Sequence, residues 1–250
     1  MPEPIISQAI LERFPHYRGI VIYARNLENR ASDEFSDRLL REAEALARAM
    51  FIDSKPSEHL HMRTWRAGFR AFGVNPNKML NSAEALISRV VKGNELPRIN
   101  WLADVYNALS VRYVLPIGGE DLDKAIGVQR LEIAIGEEVF DTMKDGQAFT
   151  DHPQAGEVVW MDDAGVTCRA WNWRQCVRTR LTEETRNAYF VLDSLIATIH
   201  EIGSSSQPER SCIIYSLETL NRAADELEGY LRQLSPACTL ERFHVGKGGA

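Results

Sequence analysis

Residues 157–173 read EVVWMDDAGVTCRAWNW. Two runs rich in β-branched and aromatic residues, 157–162 and 166–173, flank Asp163-Ala164-Gly165. A three-residue loop ending in glycine between such runs is a hairpin signal. A hairpin pairs antiparallel strands, so the second half of the chain is read as mainly antiparallel sheet. Residues 131–135, 188–192 and 212–215 are further short strand candidates. Upstream, residues 19–24 (GIVIYA) are another.

The rest of the first half is helical in pattern. Residues 33–51 place Phe35, Leu39, Ala43, Leu46 and Met50 at steps of three and four, an amphipathic stripe. Trp65, Phe69 and Phe72 repeat that spacing, and Gly73 and Pro76 end the helix. Asn81 is read as an N-cap with Glu84 as its reciprocal acid. Leu86, Ile87, Val90 and Val91 follow on an inward face, and Gly93 closes the turn. Residues 101–113 form a further helix with Leu102, Val105, Tyr106 and Leu109 on one side. Residues 217–234 form the last one, on Leu220, Ala224, Leu227 and Leu231. Helices first and sheet second give an α+β class: a helical N-terminal part packed on a mainly antiparallel sheet with flanking helices. Residues 1–244 are expected to be one domain with a helical extension over about residues 1–95, a boundary near Leu96-Pro97 and a flexible tail at 245–250.

Composition narrows the function. The 250 residues carry 29 basic and 35 acidic side chains, net −6, which disfavours a general nucleic-acid coat protein. A local basic patch stays open. No run of 18 apolar residues predicts a membrane span, and Met1-Pro2-Glu3-Pro4 lacks the basic and apolar regions of a signal peptide. Cys168, Cys176, Cys212 and Cys238 show no C-x-x-C spacing, so a reducing cytoplasm with free thiols is expected. Among His16, His59, His61, His152, His200 and His244 only His59-x-His61 is closely spaced, and i, i+2 residues of a helix share no face. No metal and no cofactor are expected.

Four segments carry more polarity than packing needs. In Asn100-x-x-x-Asp104-x-x-Asn107, spacings of four and three put the side chains on one helix face, either a solvated face behind an N-cap or one wall of a site. In Pro116-Ile117-Gly118-Gly119-Glu120-Asp121-Leu122-Asp123, the glycines either mark a plain turn or bring backbone N–H groups to an anion. Asp121 or Asp123 is read as a cap of the next segment. Trp171-Asn172-Trp173-Arg174-Gln175, followed by Thr179, allows three readings: a pocket wall, a stacking platform for bases, or core. Strand alternation puts Val166, Cys168, Ala170, Asn172 and Arg174 on one side. Thr182-Glu183-Glu184-Thr185 reads as a capped turn.

Taken in order, these segments resemble the B3/B4 domain of the phenylalanyl-tRNA synthetase β subunit, in a free-standing form. The matching residues are Asn100-x-x-x-Asp104-x-x-Asn107, Pro116-x-x-x-x-Asp121-x-Asp123, Gly127, Gly136-Glu137 and Glu184-Thr185. The resemblance spans about residues 65–192. It implies an α+β fold that accepts the 3′ aminoacylated end of a tRNA and hydrolyses the ester of a wrong amino acid. The chain departs from the synthetase pattern at Gly118, where a histidine is usual, near Val177, where a glutamate is usual, and after Gly127, where an arginine is displaced. Synthetase specificity is therefore not carried over. On this resemblance Asn107, Gly118, Gly119 and Arg174 are the candidate catalytic residues. Asp104, Asp121, Asn172, Trp173, Gln175 and Thr179 are the candidate contacts to the amino-acid moiety and the tRNA end. The alternatives are a non-catalytic amino-acid or tRNA-binding module, and an interaction domain that docks a partner through Trp65 and Phe69 over a vestigial pocket.

Overall fold

The computed structural model describes residues 2–195 and 209–246. Within them, six helices and eleven strands form an α+β fold. The first elements are β1 (Ile5–Ile6), α1 (Gln8–Arg13) and β2 (Tyr17–Arg25). Helices α2 (Glu34–Met50), α3 (Leu60–Ala71), α4 (Ser82–Val91) and α5 (Trp101–Tyr113) follow. Next come β3 (Ile117–Asp121), β4 (Arg130–Ile133), β5 (Phe140–Lys144), β6 (Gln147–Asp151), β7 (Val158–Asp162), β8 (Gly165–Arg169), β9 (Arg174–Gln175) and β10 (Ala188–Leu195). The chain closes with α6 (Glu209–Leu234) and β11 (Thr239–Gly246).

One sheet runs β11-β2-β10-β3, antiparallel throughout, and a second runs β1-β4-β7-β8-β9 with a single parallel pair, β1 on β4. β5 and β6 form a separate hairpin. β2 is buried along almost its whole length because α6 packs against it and β10 and β11 flank it. α5 is buried all round, wedged between α2, α4, α6 and β3. One continuous apolar cluster runs from Ile10 to Val245 and joins the N-terminal helices to the sheet.

Local chemistry explains the helix starts. Asp33 caps α2 by accepting from the Ser36 N–H, and the Ser36 hydroxyl accepts from the Asp33 N–H in return. Asn81 accepts from the Glu84 N–H, but the Glu84 carboxylate turns instead to Arg66 at 2.7 Å, so no reciprocal acid operates there. Gly93 takes φ +88° after α4, a left-handed position that glycine adopts without cost.

Several sequence expectations need correction. On α2 the buried face is Leu39, Leu40, Ala43, Glu44 and Ala47, whereas Leu46 and Met50 are about 40 % exposed. Glu44 sits in that face because it binds Arg41, Arg48 and the Leu96 N–H. On α4, Val91 is exposed. Residues 212–215 lie in α6 and not in a strand. The strand begun at Val166 stops at Arg169, because Ala170 and Trp171 adopt φ of +43° and +63°. Gly118-Gly119 lie in the strand Ile117–Asp121 and not in a turn. β11 extends through Gly246, two residues into the expected tail; residues 247–250 and His200 lie outside the described residues.

Candidate active site

The reversal at Ala170-Trp171 builds the site. Two left-handed non-glycine residues in succession cost energy and persist only where the surroundings hold them. Here the Trp171 ring is clasped edge-on by Phe14, Tyr17 and Trp65 at 5.0–5.2 Å between centroids. Just before the turn, Arg169 forms a bidentate pair with Glu157 at 2.9 and 2.7 Å, and Glu157 also accepts from the Ala170 N–H. The chain is thereby thrown back so that residues 171–175 overhang β3 and β10.

Beneath this overhang lies an open cavity of about 280 Å³, lined also by the start of α4, the middle of α5, strands β3 and β10, and Trp160 and Cys168 of β7 and β8. Asn107, Gly118, Gly119, Asn172, Trp173, Arg174 and Gln175 all line it. These candidates come from three separate segments, and the fold brings them together.

The other three candidates are placed elsewhere. Asp104 is fully buried and accepts from the Ser36 hydroxyl and the Ile99 N–H, both at 2.9 Å. Asn100 caps α5 and binds Asn29 and the Leu181 carbonyl. The Asn100–Asp104 pair thus ties α5 to its neighbours, and the face is not solvated. Asp121 accepts from the Thr185 hydroxyl at 2.7 Å and the Asp123 N–H at 3.1 Å, which braces the strand end against the Thr182–Thr185 turn. Thr179 is fully buried and donates to Glu120 at 2.6 Å. Trp65 and Phe69 are each 1 % exposed, so the partner-docking surface expected of them does not exist.

Backbone donors are limited by the β ladder. Asp193 N donates to the Pro116 carbonyl and Leu122 N to the Asn187 carbonyl, each at 2.9–3.0 Å. Pairs in an antiparallel ladder alternate, so Gly118, opposite Val191, points its N–H into the ladder. Gly119 faces outward from this edge strand. Its carbonyl accepts from the Gln175 amide at 2.8 Å, and its N–H remains on the edge.

Two carboxyl groups in the cavity escaped the sequence reading. Glu120 and Asp193 are only 7 % and 2 % exposed, and both line it. Asp193 accepts from the Tyr17 hydroxyl at 2.8 Å and, more distantly, from the Asn172 amide at 3.5 Å. Gly19 makes the first bond possible: a Cβ there would lie 2.6 Å from the Tyr17 hydroxyl oxygen. The indole N–H groups of Trp160 and Trp171 also favour the ionised acid, without reaching it in hydrogen-bonding geometry. Burial outweighs these donors and pushes Asp193 up to about 7. Burial likewise pushes Glu120 up to about 7, against the Thr179 hydroxyl bond. Neither acid has an ion-pair partner among the described residues. The Cys168 thiol, also at the cavity, is pushed well up by burial and by Glu120.

Arg174 stands at the rim. It is exposed, and its guanidinium lies 4.5 Å above the Trp173 ring. Elsewhere, His59 and His61 meet edge-on at 5.5 Å, and burial holds His61 down to about 4. Among the described residues no group of three or more His, Cys, Asp or Glu side chains is placed to hold a metal ion. No described helix is long and apolar enough to cross a membrane.

One solved structure to which the chain is similar is the N-terminal fragment of the phenylalanyl-tRNA synthetase β-subunit from Pyrococcus horikoshii. Identity is 11 % and the TM-score 0.44, over 96 % of this chain and 53 % of that one. The chain therefore spans about half the length of that fragment. No curated protein matches it. Residues 64–228, about two-thirds of the chain, match the B3/4 domain, a stretch that includes every residue lining the cavity under the overhang. The chain belongs to the B3/4 domain family.

Proposed function

We propose that the protein is a trans-editing deacylase that hydrolyses the ester of a misacylated tRNA in this cavity. The observation that supports it is convergence: three distant segments meet around a recess of about 280 Å³, near the small end of the about 300–1,000 Å³ typical of small-ligand sites. An aminoacyl ester is already activated, so a held water and donors for the developing oxyanion suffice. The Gly119 N–H and the Arg174 guanidinium are those donors. Asn107 holds the attacking water, and Asp193 takes the α-ammonium group. The water oxygen bonds to the ester carbon, and its proton passes to the departing 3′ oxygen, assisted by the tRNA's neighbouring hydroxyl. Acid and free tRNA result. Arg174 at the rim faces the tRNA end. The same reading treats residues 1–244 as one unit, the helices over about 1–95 being an addition to it.

The test is a panel of misacylated tRNAs incubated with wild type and Arg174→Ala. Turnover by wild type, lowered about tenfold or more in the variant, is expected, an oxyanion donor being worth roughly 10²–10³ in rate. Wild type that deacylates none of them above the buffer rate overturns the proposal. A second reading, an amino-acid binder without turnover, is favoured by one fact: Gly118 gives its N–H to the ladder, leaving a single backbone donor. Thermal stabilisation by amino acids without deacylation identifies that case.

A further inference from the structure

The carboxyl groups of Glu120 and Asp193 line one cavity, and neither has an ion-pair partner among the described residues. Asp193 is held by Tyr17 and Asn172, and Glu120 by Thr179, all neutral groups. Buried carboxyls without counter-charge are disfavoured in a protein interior, and a cationic ligand is what would relieve them.

Their placement adds a length. In the register of β3 and β10, Glu120 lies opposite Tyr189, and the Asp193–Pro116 bond fixes the other end of the pairing. Opposite residues share a face, so Glu120, Gly118, Val191 and Asp193 all point to the cavity side. Tyr189 and Asp193 are four residues apart on β10, which is about 13 Å at about 3.3 Å per residue. In lysine five carbons separate two nitrogens that lie on the order of 7 Å apart when extended, and a charge-assisted bond of about 2.8 Å at each end gives a reach comparable with that backbone offset.

The floor between the acids is open. A Cβ at Gly118 would meet nothing within 4 Å, and its cross-strand neighbour is Val191. The buried Trp160 and Trp171 also line the cavity. An aliphatic stem over glycine and valine, beside aromatic residues and between two acids, is the complement of a basic amino acid.

We propose that the cavity selects an aminoacyl group with a basic side chain, of the lysine, ornithine or arginine class, its α-ammonium at Asp193 and its side-chain cation at Glu120. This rests on the reading above that the cavity receives an amino-acid moiety, and its test separates the two. Calorimetry would compare L-lysinamide, L-argininamide, L-norleucinamide and L-tyrosinamide on the full chain, its Glu120→Gln variant and its Gly118→Val variant. Norleucinamide has the lysine stem without the side-chain charge. Wild type is expected to bind lysinamide or argininamide at least tenfold tighter than norleucinamide. Glu120→Gln, which keeps the acceptor for Thr179, should remove that ratio. Gly118→Val should weaken lysinamide and norleucinamide together, with circular dichroism unchanged. Equal or tighter binding of norleucinamide or tyrosinamide overturns the inference, as does a ratio unmoved by Glu120→Gln, or no binding of any amide. A basic preference without deacylation of any tRNA leaves this inference standing and removes the enzymatic reading. Deacylation confined to neutral aminoacyl groups does the reverse.

Discussion

Replacing Asp193 by asparagine tests the site's electrostatics directly. The acid is 2 % exposed and its pKa is pushed up to about 7 from an ordinary 3.8. Below 3.8 the folded and unfolded chains both hold the proton, and the group is neutral with respect to folding. Between 3.8 and 7 the unfolded chain releases the proton while the folded protein keeps it, so stability falls as pH rises through that window. Above 7 the loss is complete, about 4 kcal/mol at about 1.4 kcal/mol per pKa unit. Asparagine removes the titration and keeps the fit. Its carbonyl still accepts from the Tyr17 hydroxyl. Its amide can meet the Asn172 Oδ1, which is buried without a partner in the wild type. Urea denaturation at pH 5 and pH 8 reads the result. The variant's stability relative to wild type should rise by about 2–3 kcal/mol between the two pH values, two pKa units of the shift being covered. Glu120 is common to both proteins and cancels in the comparison. Stability curves that run parallel with pH would show that Asp193 is not the uncompensated acid the geometry implies. In deacylation, wild-type kcat/KM should rise with pH through about 7, since only the ionised acid pairs with an ammonium group.

Three further outcomes are expected. Arg169→Met strips the bidentate partner from Glu157, itself 1 % exposed, and should cost about 3–5 kcal/mol in urea denaturation. Gly19→Ala drives a Cβ to 2.6 Å from the Tyr17 hydroxyl and 2.8 Å from Val245, so it should cost about 1–3 kcal/mol in thermal denaturation. It should also raise the pH midpoint of deacylation by displacing Tyr17 from Asp193. Arg174→Ala touches an exposed side chain with no ion pair among the described residues, so its stability should stay within about 0.5 kcal/mol of wild type while turnover falls.

Helices were readable where period and cap agreed. α4 and α5 begin and end within a residue or two of their expected limits, with Asn81 and Asn100 capping their starts, and α3 and α4 stop at Gly73 and Gly93 as expected. The stripe on α2 was misplaced because a glutamate occupies the buried face. Glu44 is read as surface until Arg41, Arg48 and the Leu96 N–H are seen around it. β3 was hidden by Gly118-Gly119, residues of poor strand propensity that an edge strand beside an open cavity tolerates. Residues 212–215 (CIIY) failed for the opposite reason: a four-residue apolar run fits a strand or a helix segment equally. Asn107, Asn172 and Arg174, which line the cavity, stood out in the sequence because polar residues interrupted apolar patterns. Asp193 was missed although it carries the same signal, a carboxylate within Val191-Leu192-Asp193-Ser194-Leu195. Its weight depends on a tertiary fact, the lack of an ion-pair partner among the described residues, that no local pattern contains.

That absence is the argument for treating the cavity as a site and not as a packing defect. Most other buried acids among the described residues have a cation, and Asp104 has a hydroxyl and a backbone N–H. Glu157 has Arg169, Glu44 has Arg41 and Arg48, and Asp162 has Arg178. The same chain can therefore give a buried carboxylate a cation or a backbone N–H. At Glu120 and Asp193 it does not, and these two acids line the cavity whose floor is left open at Gly118. Two acids kept without counter-charge around open space are stability given up in one place, as a ligand-binding surface requires and a structural core does not.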